Sequence, residues 1–139
     1  MTALNPYFSV CEYRVTSERK DGGASRAHAQ VELMVGGSRT RSEATGVGPV
    51  HALDNALRAS LRSDFTAIDR VKLSDYHVSV VNADAGTGAA VRVVVQATDD
   101  EDVWEAGCTS DNIIDASFEA LCATAVIGLM RAGVGVVPA

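Results

Sequence analysis

The sequence predicts an α+β fold made of two pseudo-symmetric βββα units, with antiparallel sheets packed on two helices. Three observations predict it. Arg26–Gly36 and Gly88–Thr98 carry the same strict alternation of apolar residues, 62 positions apart. Two later segments share a helical pattern: Val50-x-Ala52-x3-Ala56-Leu57 matches Ile114-x-Ala116-x3-Ala120-Leu121, 64 positions apart. Turn residues frame both copies at equivalent places. Internal repetition of this kind is the first feature to settle, because it fixes the architecture.

Each element follows from its residues. In Arg26–Gly36, Ala27, Ala29, Val31, Leu33 and Val35 alternate with His28, Gln30 and Glu32, the pattern of a half-buried strand. Ala89, Val91, Val93, Val95 and Ala97 repeat it in Gly88–Thr98. A long strand precedes each, near Tyr7–Ser17 and Arg70–Asn82. The connecting loops Glu18–Ser25 and Ala83–Thr87 hold the glycine and aspartate that turns favour. Gly36-Gly37 and Asp99–Asp102 turn the chain into short third strands near Ser38–Thr45 and Val103–Thr109.

A helix then closes each unit. The first starts at Gly48-Pro49, since proline at the first helical position gives up an N–H that has no helical partner. Val50, Leu53, Leu57 and Leu61 give it one apolar face. The second starts near Ser110-Asp111-Asn112, all good N-cap residues. Ile114, Phe118, Leu121, Ala125 and Leu129 line its buried face, and Gly133 is placed to stop it. The whole, residues 1–139, reads as one domain with repeats at about 7–64 and 68–133. The apolar tail Val134–Pro138 fits either an interface or a disordered end.

Composition narrows the function classes. The chain of 139 residues is 47% hydrophobic, enough for one compact core. A net charge of −6 offers no basic patch for phosphates or for an anionic membrane surface. No run of about 18 apolar residues suggests a span, and Met1–Val10 lacks the pattern of a signal peptide. Cys11, Cys108 and Cys122 are odd in number and widely spaced, as expected of free thiols in the cytoplasm.

Four motifs in order carry a family resemblance. Ala44–Leu57 (A-T-G-V-G-P-V-H-A-L-D-N-A-L) resembles the G-x-G-P-V-x-A signature of the regulatory domain of 2-isopropylmalate and citramalate synthases. Ser110–Leu121 (S-D-N-I-I-D-A-S-F-E-A-L) resembles that family's S-x-N-I-I-x-A-S-x-x-A-L. Leu73–Val78 and Gly86–Val93 are similar to its D-Y-x-V and G-T-x-A-x-V-R-V strands, and Trp104 falls where the family often has tryptophan. The resemblance covers about Phe8 to Arg131. It implies a homodimeric domain that binds leucine or isoleucine and inhibits a synthase by feedback. The synthase's catalytic barrel is not in this sequence, so the domain is expected without it, either as an excised regulatory domain or as a stand-alone, separately encoded chain with a separate synthase catalytic subunit as its partner in trans. His51 departs from the acidic or amide residue common after Gly-Pro-Val, Val47 from a frequent asparagine, and Cys108 from a frequent glycine.

The residues themselves suggest where an amino acid would bind. A glycine-rich turn entering a helix exposes N–H groups and the positive end of the helix dipole, which suit a carboxylate. Two such elbows exist, one at Gly46, Val47, Gly48 and Pro49, the other at Ser110, Asp111, Asn112 and Ile113. Ser110, Asp111 or Asn112 would accept from an ammonium group. Leu73, Tyr76, Val80 and Val91 would form an apolar slot for a branched side chain, a contrast worth about 1–3 kcal/mol per methylene.

Blander roles compete with these. The glycines also suit a tight strand-to-helix connection. Ser110 and Asp111 also suit helix capping, and Tyr76 and Trp104 suit packing. His51, Cys108 and Asp111 raise a nucleophile–base–orienter arrangement, the basis for reading the chain as a small enzyme of a specialised pathway. A surface histidine and a small buried thiol are the plainer account. A purely structural dimerisation module is the remaining alternative. His28, His51 and His77 are scattered without metal-ligand spacing, so no metal site is expected. No cofactor is expected either, since Gly86–Val91 leads into a strand rather than a helix.

Overall fold

A computed structural model describes residues 5–138. The start of the segment read for a signal peptide, residues 1–4, lies outside the described residues. The order of elements is β1 (Ser9–Glu18), β2 (Arg26–Val35), β3 (Ser38–Gly46), α1 (Pro49–Arg62), β4 (Lys72–Val80), β5 (Val91–Thr98), β6 (Val103–Ser110) and α2 (Ile113–Arg131). A 3-10 helix stands at Thr66–Arg70, and two 3-10 turns flank a kink at Gly86 within Ala83–Gly88. The strands form two antiparallel sheets, β1-β2-β3 and β4-β5-β6. The α+β, twice-βββα expectation is met.

The chain divides into two compact units. One holds the residues through Ile68 together with those from Gly133 on; the other holds Asp69–Ala132. In the first, the alternating residues of β2 are the core: Ala29, Val31 and Leu33 are fully buried. α1 lays Leu53, Leu57 and Leu61 on them, and Ala52, Ala56 and Ser60 add a second buried row. Val50, expected on that face, is only half-buried. β1 starts two residues later than expected. The side chain of Asn5 accepts from the amides of Tyr7 and Phe8, which turns both rings into the core before pairing begins. Tyr7 meets Phe65 edge to face, with ring centres 5.4 Å apart.

The tail from Gly133 also belongs to this unit. Tyr7 Oη donates to the carbonyl of Val134 at 3.0 Å. Gly36, at φ 59°, leaves room for the carbonyl of Pro138 where a side chain would stand.

The second unit repeats the plan. Val93, Val95 and Ala97 of β5 are fully buried under α2. β4 is shorter than expected because its first residues are spent on the 3-10 turn at Thr66–Arg70 and on Val71, which is buried. Val71 packs where Gly128 of α2 has no side chain, beside Trp104. Small residues therefore let α2 bury more than the single face expected: Ala116, Ser117, Ala120, Cys122, Thr124, Val126 and Gly128 join Phe118, Leu121, Ala125 and Leu129. By length and composition α2 alone would be long and apolar enough to cross a bilayer; here most of it is buried in the protein. Burial also pushes the Cys122 thiol far up, so it stays protonated and inert. Gly133, at φ 70°, follows the end of α2 as a helix stop.

Trp104 Nε1 donates to the carbonyl of Thr124, and the Arg131 guanidinium lies 5.1 Å from the centre of its ring. Arg131 is held there by Asp99 and Asp102, at 3.2 and 2.6 Å.

Candidate functional site

The two elbows differ in chemistry. At the first, β3 ends at Gly46, and a Cβ there would lie 2.5 Å from the amide nitrogen of Ala52. Glycine is needed at that point for close approach of strand and helix, not for its dihedral freedom. Val47 is 82% exposed. Gly48 is the N-cap of α1, offers no side-chain cap, and has open space where a Cβ would go. Pro49 is the first helical residue, and the first turn contains no acid. The first helical bond runs from Ala52 N–H to Gly48 C=O. The amides of Val50 and His51 precede it and point along the helix start without a capping side chain. Two side chains tie the elbow down: His51 Nδ1 accepts from Val47 N–H at 3.1 Å, and Asn55 donates to the carbonyl of Thr45 at 3.0 Å.

The second elbow caps itself. Asn112 is the N-cap of α2, and its side-chain oxygen accepts from Ile114 N–H at 2.9 Å and Asp115 N–H at 3.1 Å. Ser110 Oγ accepts from the amide of Asn112 at 3.0 Å. Asp115 adds a negative charge to the first turn. Ser110 and Asn112 are thus engaged with backbone, while Asp111 and Ile113 are exposed. At this elbow the cap residue itself serves two helical amides, whereas Gly48 at the first serves none and only the Val47 amide ahead of the helix meets a side-chain acceptor, His51.

The residues named for the apolar slot share one surface. Leu73, Tyr76 and Val80 of β4 pair with Ala97, Val95 and Val91 of β5, so they lie on the sheet face that elsewhere forms the core. α2 packs over β5 and β6 and leaves β4 uncovered. Leu73, Tyr76 and Val80 are 39%, 43% and 57% exposed. Val78 belongs to the same row, opposite Val93; sequence reasoning missed it, and the alternation of Tyr76, Val78 and Val80 is the signal that finds it. Tyr76 reaches from the row to α2, where its hydroxyl lies 2.7 Å from Ser117 Oγ.

Of the residues raised for catalysis, His51 spends its Nδ1 on the Val47 amide. The Cys108 thiol donates to the carbonyl of Thr109, at 3.9 Å. His51 lies in the first unit, and Cys108 and Asp111 lie in the second. One turn beyond His51, burial pushes the Asp54 carboxyl up, opposed by its ion pair with Arg58 at 3.2 Å. Among the described residues no group of three or more histidine, cysteine or acidic side chains is placed to hold a metal ion.

The chain is thus a duplicated βββα fold with one helix start lacking a side-chain cap and one exposed apolar row. Comparison with known proteins shows its family. Residues 2–127 match the family model described as the LeuA allosteric (dimerisation) domain. The chain belongs to that family. It is 40% identical over 116 residues to an (R)-citramalate synthase of Geobacter sulfurreducens, covering 83% of this chain and 22% of the relative. It is 37% identical over 129 residues to that of Aquifex aeolicus and 34% identical over 128 residues to that of Streptomyces coelicolor. Both matches cover 92% of this chain and 24% of the relative. The chain thus spans less than a quarter of the length of these relatives.

Proposed function

We propose that this domain senses a branched-chain amino acid, leucine or isoleucine, and acts as a homodimer to inhibit an isopropylmalate or citramalate synthase by feedback. The synthase barrel is supplied by the same protein or in trans, in the cytoplasm. Membership of an allosteric, dimerising family is the observation that carries this reading, and the citramalate synthase relatives support the choice of enzyme.

Each unit supports the reading by itself. In the first, the Val50 and His51 amides have no capping side chain and no acid in their helical turn, which suits the effector's carboxylate. In the second, the exposed row Leu73, Tyr76 and Val80 suits apolar contact with a second copy of the chain. Asp111 is the exposed acceptor of that unit's elbow, since Ser110 and Asn112 already serve the backbone.

Calorimetric titration with leucine, isoleucine and valine tests the sensing. Saturable heat is expected from at least one of them. No heat from any at millimolar concentration would leave a dimerisation module without an effector.

A further inference from the structure

α1 begins without the cap that α2 has. Gly48 brings no side chain to its N-cap, and no acid stands in its first turn. His51 fills this role by another route. It is the third residue of the helix, and its Nδ1 lies 3.1 Å from the amide nitrogen of Val47. In a capping box the third helical residue, ordinarily Glu or Gln, reaches back to an amide just ahead of the helix. Here an imidazole does so.

A backbone amide can only donate. Nδ1 is therefore the bare, accepting nitrogen, and the ring proton sits on Nε2. We infer that His51 is the positioning residue of the first elbow: its neutral Nε2–H form holds Val47 in place, and protonation of the ring releases it. Protonation puts a hydrogen on Nδ1, so two donors then face each other and the bond is lost. Imidazole is the side chain whose ordinary titration falls between about pH 5 and 8. A Glu or Gln would hold the same amide across that range. The elbow is thus ordered while the ring is neutral and loosened once it is protonated.

The surroundings leave this switch to the ring. On α1 itself the charge that acts on His51 is Asp54, which is paired with Arg58. β2 turns Ala27, Ala29, Val31 and Leu33 toward the helix, and β3 turns Thr40, Ser42, Ala44 and Gly46, none of which titrates. β1 contributes Val15 and Tyr13 on that face, and phenols titrate near pH 10. His51 is exposed, so protons reach it freely.

This inference rests on the proposed function only for the purpose of the elbow. Its test needs no amino acid, so the two fail separately. On the 15N-labelled chain without effector, long-range nitrogen–proton spectra at pH 8 are expected to show His51 with Nδ1 bare and Nε2 protonated. On acidification the Val47 amide resonance should move with the midpoint of the His51 ring, and its protection from hydrogen exchange should fall several-fold. His51→Gln should keep Val47 protected at both ends of the range and flatten the pH profile. His51→Leu should leave Val47 unprotected throughout, with the far-ultraviolet spectrum unchanged. An Nδ1–H tautomer, a Val47 amide indifferent to ring protonation, or an unaltered pH profile in His51→Gln would each overturn it. The wild-type spectra decide the matter even if a variant fails to fold.

Discussion

Gly46 and Gly48 look alike in the sequence, two glycines flanking one exposed valine, yet they do different work. At Gly46 a methyl group would press on the backbone of Ala52 and His51, which cannot yield without moving the helix. Gly46→Ala should therefore cost about 1–3 kcal/mol as an overpacking change. At Gly48 the space is open and φ is −150°, which any residue adopts. Gly48→Ala should cost less than about 1 kcal/mol. Denaturant midpoints of the two variants check this ordering, and equal losses would contradict it. Sequence reasoning marked both glycines because the elbow motif needs small residues. It had no means of telling close approach from an empty N-cap, since that depends on where the helix backbone passes. The capping role of His51 was hidden in the same way: its residue type departed from the usual pattern, but its target amide is visible only in three dimensions.

The central strands were legible as elements because their apolar alternation is strict; β2 falls where that alternation placed it, while β5 starts only at Val91, because Gly88 ends the 3-10 segment and Ala89 caps it. What escaped was the burial of α2, whose small residues set its depth in the unit through contacts that no helical period encodes. Asn112 shows where propensity and structure agree. Its side chain serves two amides, so Asn112→Ala should destabilise the protein by about 0.5–2 kcal/mol in thermal or denaturant unfolding.

The turn between β5 and β6 offers a pH test. The amide of Asp102, and after it those of Glu101 and the Arg131 guanidinium, hold the Asp99 carboxyl below its ordinary value. A carboxyl lowered in the folded state stabilises it above the unfolded pKa, and that contribution is lost as pH falls through the folded value. The Arg131–Trp104 contact should thus persist from neutral pH through the ordinary carboxylate range and fail only as pH falls through the lowered value of Asp99. Fluorescence of Trp104, the only tryptophan, reports this. Arg131→Ala should change the emission at neutral pH already.

For the molecule as a whole, repetition in the sequence correctly announced two βββα units, but repetition alone does not make their elbows interchangeable. They are not, because Asn112 has no counterpart at Gly48. The tail was equally opaque: Val134–Pro138 has no periodicity, and its place in the first unit depends on one tyrosine hydroxyl and on the missing side chain of Gly36. Gly36→Ala should strain a left-handed backbone by about 1–2 kcal/mol and displace the tail. Faster proteolysis beyond Gly133 checks this.

The unequal elbows lead to the most direct test of the account. Amide chemical shifts should be followed while leucine or isoleucine is titrated to saturation. The account predicts that the largest shifts fall at Val47, Gly48, Val50 and His51, and that Ile114 and Asp115, already capped by Asn112, move little. Saturable shifts centred on the second elbow, with the first unmoved, would contradict it.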